Sequence, residues 1–104
     1  MATVKRGQHR QFQGAFADTW TIKDTFNFGS IADGNEEVTA VTVSGVGLGD
    51  MVLGVAANID VADLDLTANV TATAQVTFQL NNNTGGGIDL ATAQYTALVA
   101  RPNW

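Results

Sequence analysis

Cysteine is absent. Without it there is no disulfide scaffold, no thiolate-ligated zinc or iron–sulfur site and no thiol nucleophile. Histidine occurs once, as His9, and serine twice, as Ser30 and Ser44. Both serines sit beside glycine in turn-like segments, and no GxSxG motif is present. His9 lies in a basic segment between Gln8 and Arg10, a poor setting for a general base with a fixed position and a tuned pKa. Charged residues make up only 14% of the 104 residues and hydrophobic ones 45%, which excludes a disordered chain. No apolar run approaches the roughly 20 residues of a membrane span. The opening MATVKRGQHR is basic but has no apolar stretch behind it, so it does not read as a secretory signal. The length fits one domain with a modest core.

Positive charge is scarce and unevenly placed. Five Lys/Arg face ten Asp/Glu, and three of the five are Lys5, Arg6 and Arg10. Residues 11–104 therefore carry two cations against ten anions. Such a body repels nucleic acid, whose affinity comes mainly from phosphate neutralisation by Lys and Arg. The basic arm reads either as a contact for an acidic surface or as a solvated terminus.

What the chain has is alternation with a period of two. In TWTIKDTFNF (19–28), Trp20, Ile22, Phe26 and Phe28 share one face, broken by Asp24. EVTAVTVS (37–44) is a β-branched run. MVLGVAA (51–57) is apolar on both faces and reads as a central strand. LTANVTA (66–72) turns Leu66, Ala68 and Val70 inward. QVTFQLNN (75–82) does the same with Val76, Phe78 and Leu80. AQYTALVAR (93–101) aligns Tyr95, Ala97 and Val99, and Pro102 ends it. Short strands are possible at 3–6 and 10–16. Turn residues separate the strands, and no helical period interrupts them. The expected fold is all-β: an antiparallel β-sandwich, immunoglobulin-like or jelly-roll, over residues 19–104, with an extended N-terminal arm over 1–18.

Few residues suggest small-molecule chemistry. GVGLGD and TGGG lie between strands and open no helix, so they read as turns rather than phosphate cradles. Asp60, Asp63 and Asp65 fall within six residues and are the weak candidates for a calcium site, but they lack the EF-hand spacing. The other reading is a solvated acidic loop. Asp24 on an apolar face needs a partner, such as Lys23, Arg101 or another subunit. Phe12, Phe16, Trp20 and Trp104 lie toward the two ends of the chain. They read either as partner anchors or as seals on the sandwich. No base, nucleophile or metal set emerges, so the chain reads as a non-enzyme without a cofactor.

The stretches FGSIADGNEEVTAVTVSGVGLGDMVL and LTANVTATAQVTFQLNNNTGGGIDLATAQYTALV carry a resemblance. The motifs are FGSIA at 28–32, TAVTV at 39–43, GDMV at 49–52, the V…VTFQL run at 70–80, NNTGGGID at 82–89 and YTALV at 95–99. Together they resemble the small β-domain of tailed-phage capsid decoration, or cement, proteins over about residues 25–100. The resemblance implies many copies bound to the major capsid protein on the outer surface of the virion. It implies homotrimers, no catalysis and no cofactor, and it adds no nucleic-acid or membrane partner. Under it, Lys5, Arg6, His9, Arg10 and Phe12 are the expected capsid contacts and Trp104 the terminal anchor. Val41, Val43 or Leu98 would supply an apolar trimer contact. The runner-up is a tail, vertex-spike or receptor-binding virion protein presenting loops such as NNNTGGG. A carbohydrate-binding sandwich comes third.

Overall fold

Among the described residues, nine strands account for the alternating segments of the sequence. The computed structural model describes residues 2–7 and 15–103. The strands are β1 (Thr3–Gly7), β2 (Phe16–Phe26), β3 (Ser30–Ile31), β4 (Glu36–Thr42), β5 (Met51–Ala57), β6 (Asp65–Ala72), β7 (Gln75–Asn81), β8 (Ile88–Asp89) and β9 (Ala93–Pro102). All pairings are antiparallel. One sheet has the order β1-β2-β9-β5 and the other β4-β7-β6, with β3-β8 as a two-stranded ribbon.

The pairings β2–β9, β3–β8 and β4–β7 are nested. One long antiparallel ribbon thus runs through both sheets, with β5 and β6 at its tip. Nested antiparallel pairing of this kind winds the chain into a two-sheet sandwich. In an immunoglobulin domain the last strand would lie in the other sheet, beside its predecessor. Here β9 lies between β2 and β5.

The core forms where the inward residues of the two sheets meet. Trp20 and Ile22 from β2, Val76, Phe78 and Leu80 from β7, and Tyr95, Ala97 and Val99 from β9 are all buried, as alternation predicts. At one end of the core the aromatic rings interlock. Phe26 stacks on Tyr95 at 4.6 Å, and Phe28 meets each of them edge-on at 5.1 Å. Such offset and edge contacts suit ring quadrupoles and add to burial.

Two expectations change. The apolar strand 51–57 is an edge, not the centre: among the described residues β5 pairs with β9 alone, and its ladder slips at Leu53, which is 45% exposed. A bulge that breaks the ladder suits an edge strand, where it discourages further pairing. The centre is β9, paired on both sides and buried at every second residue. The boundary drawn at residue 18 falls inside β2, and part of the arm, Thr3–Gly7, is a strand of the larger sheet. Pro102 ends the last strand as expected: it is the final residue of β9 and lies opposite Phe16.

Candidate functional site

The basic segment divides by strand parity. Arg6 lies opposite Trp20 and shares its inward side, whereas Lys5 lies opposite Thr21 on the outer side. Arg6 Nε donates to Asp18 Oδ2 at 2.6 Å, and its guanidinium lies over the Trp20 ring at 4.9 Å. Arg101 reaches the same ring at 5.1 Å. Its Nε and Nη2 donate to the two oxygens of Asp50, both at 2.9 Å, and Nη2 also donates to the Gly45 carbonyl at 2.8 Å. Gly47 N–H donates to Asp50 Oδ2 at 2.9 Å. Gly45 has φ +100°, a conformation that favours glycine, and a Cβ there would stand 2.5 Å from Arg6 Nη1 and push the guanidinium aside.

Burial alone would raise the Asp50 carboxyl. Hydrogen bonds from Arg101 and the Gly47 amide, with the charges of Arg101 and Arg6, outweigh it and hold the carboxyl below the usual range. The Arg101 guanidinium is raised in turn, chiefly by its bond to Asp50. Two arginines, two aspartates and an indole therefore clasp this end of the sandwich. Arg6, expected as an outside contact, is engaged in this clasp.

Lys5 and Lys23 make no ion pair among the described residues. With Thr3 and Thr21 they line a shallow cleft of about 340 Å3 on the outer face of β1–β2. A larger groove, about 730 Å3, runs along the open side between β1 and β4, where Val4, Arg6, Asp24, Val41 and Ser44 line it. Asp24 Oδ1 accepts the Thr25 amide at 2.8 Å. Arg101, one of the partners expected for it, is bound to Asp50 instead.

Asp60 closes its own loop by accepting the Ala62 amide at 2.9 Å. Ala62 and Asp63 turn the chain with φ of 54° and 67°. Asp65 begins β6. Among the described residues no three His, Asp or Glu side chains gather into a set able to hold a metal ion.

The NNNTGGG loop is organised by Asn82, which is fully buried. Its Nδ2 donates to the carbonyls of Ile31 at 2.7 Å and Gly86 at 2.8 Å. Its Oδ1 accepts from the Thr84 amide and hydroxyl, at 3.0 and 2.7 Å. Gly85 N–H donates to Asp33 Oδ1 at 3.0 Å. The loop is thus tied to the β3 region, and residues 83–87 stay exposed.

His9, Arg10, Phe12 and Trp104 lie outside the described residues. Trp20, Phe28, Phe78 and Tyr95 are buried and Phe26 is packed against them, so they form core rather than a sugar platform. Val41 and Val43 are also buried, which removes them as a trimer contact. Leu98 remains half-buried on the outer side of β9. Asn82 carried a readable signal: it holds the next inward position after Val76, Phe78 and Leu80. Lys23 shares the outer parity of Thr21 and Thr25. The Asp50–Arg101 pair has no local signal, since 51 residues separate the two.

Comparisons with protein families, with characterised proteins and with solved structures find no match to this chain.

Proposed function

We propose that the chain is a structural protein of a tailed-phage virion, a capsid decoration protein. In this reading it binds the outside of the head and braces it against the pressure of packed DNA. The observation that carries the reading is a basic strand displayed on an acidic body. All five residues of β1 are exposed, and Lys5 points outward beside Lys23. The sequence resemblance supports it, because several of its motif residues hold the winding together. Ile31, Asn82, Thr84 and Gly86 form one hydrogen-bonded knot between β3 and the 82–87 loop. Cementing needs no active site. Many weak contacts, each bridging capsid subunits, sum to a strong brace.

The contact set becomes Lys5 with His9, Arg10 and Phe12, while Arg6 serves the clasp. Trp104 keeps its place as a terminal anchor, and Leu98 is the remaining candidate for a contact between copies in a trimer. A tail or vertex role is the second reading, favoured by the exposed yet tied 83–87 loop, which a receptor-binding module would present. The test is the copy number of the chain in purified particles, counted against the major capsid protein. Hundreds of copies are expected for a cement. A few to tens would move the chain to the tail or a vertex, and absence would overturn both readings.

A further inference from the structure

Among the described residues, the outer face of the β1-β2-β9-β5 sheet stands apart in its charge. Its outward positions include Thr3 and Lys5 on β1, Thr21 and Lys23 on β2, and Thr96 and Leu98 on β9. None of the ten acidic residues occupies an outward position of this sheet. Asp18 and Asp24 take inward positions of β2, opposite Arg101 and Tyr95. The other eight lie in loops, on the two-stranded ribbon or on the smaller sheet. Arg6 and Arg101 are committed to Asp18 and Asp50. The positive charge left among the described residues is therefore the two lysines of the chain, both on this one face.

Their placement suits one kind of ligand. Lys5 faces Thr21 across the ladder and Lys23 faces Thr3, so the lysines are diagonal neighbours. Diagonal positions on a sheet are about 7–8 Å apart. That spacing limits repulsion between the ammonium groups, yet one carboxylate seated between them can accept from both. The threonine hydroxyls add neutral donors at the two other corners of the cleft. Lysine suits this role as a flexible point charge. The geometry points to this face as a docking surface for the carboxylate side chains of an acidic protein, seated between Lys5 and Lys23, with half-buried Leu98 supplying apolar contact alongside. An acidic body with one positive face would also be oriented as it approaches such a partner. A nucleic acid fits poorly, because two lysines neutralise few phosphates and the rest of the chain repels them. Taking the acidic partner to be a capsid shell rests on the reading above; the carboxylate-binding face stands without it.

The test is a titration of the isotope-labelled chain with poly-L-glutamate, followed by amide chemical shifts in low salt. Shifts are expected to cluster at Thr3, Lys5, Thr21 and Lys23. They should weaken as salt rises toward about 0.2 M. Lys5→Gln with Lys23→Gln should weaken binding about tenfold or more while leaving the rest of the spectrum in place. Shifts centred elsewhere, equal binding by the double variant, or tighter binding of a DNA duplex than of polyglutamate would each overturn the proposal. Failure of the capsid reading would instead appear as absence from particles, with these shifts unaffected.

Discussion

Arg101 holds Asp50 by two parallel hydrogen bonds, Nε to Oδ1 and Nη2 to Oδ2, each 2.9 Å. The forked guanidinium matches the carboxylate plane, which makes this pair stronger and more directional than a lysine contact. The Asp50 side chain is only 4% exposed, so it depends on this partner. Arg101→Ala is expected to cost about 2–4 kcal/mol by leaving a shielded carboxylate without its cation. Arg101→Lys should cost less, about 1–2 kcal/mol, because charge is kept and the fork is lost. Urea unfolding of the three proteins checks the order; equal midpoints would show that the clasp contributes nothing.

The same pair sets an acid limit. Asp50 titrates below its ordinary value in the fold, so its ionised form is the one the folded state favours. That contribution is complete above the unfolded value of about 4 and is lost as pH falls through the lower, folded value. Unfolding free energy should therefore decline as pH drops below about 4, and Asp50→Asn should flatten part of the decline. Denaturation curves at stepped pH measure both slopes. An identical slope in Asp50→Asn would assign the acid sensitivity to other groups.

Tyr95 is buried, and its hydroxyl has no hydrogen-bond partner among the described residues. An unpaired buried hydroxyl carries a desolvation cost that phenylalanine avoids. Tyr95→Phe is thus expected to be neutral or to stabilise by about 1 kcal/mol, whereas Tyr95→Ala should cost about 3–5 kcal/mol through lost ring contacts and a cavity. Burial also raises the phenol above its ordinary value. Its stabilising share is whole below about pH 10 and is lost as pH rises through the folded value. The chain has one tyrosine, so phenolate absorbance reports Tyr95 alone. Ionisation in the folded protein should lag that of the unfolded chain; coincident curves would contradict the burial.

Asn82 satisfies two carbonyls and accepts from two Thr84 groups while fully buried. Asn82→Ala leaves the Ile31 and Gly86 carbonyls without that donor and is expected to cost about 2–4 kcal/mol. Asn82→Asp should also destabilise, because a carboxylate cannot donate to those carbonyls. Thermal unfolding measures the loss, and amide exchange should quicken first at residues 82–87. A stability change spread evenly, with no local quickening, would argue against Asn82 as the organiser of this loop.

Much of the fold was legible along the chain because a strand turns successive side chains to opposite faces. Val76, Phe78 and Leu80, or Tyr95, Ala97 and Val99, declare their inward side through spacing alone. The same rule separates Arg6 from Lys5, once β1 is known to pair with β2. The misplacement of β5 has the same root. Apolar residues on both faces say how a strand is composed, but neighbours in a sheet are chosen by residues far away in the chain. Here β9 took the centre and left β5 at the rim.

By itself, then, the sequence determined an all-β chain, its turn positions, the inward sets of its alternating strands and the shortage of positive charge. These depend on residues within a few positions of one another. The tertiary structure alone decided that Asp18 and Asp50 would engage Arg6 and Arg101, that Asn82 would tie β3 to its loop, and that Lys5 and Lys23 would share one face. Each of those contacts joins segments brought together by chain closure. Local periodicity carries no record of which distant strand lies alongside.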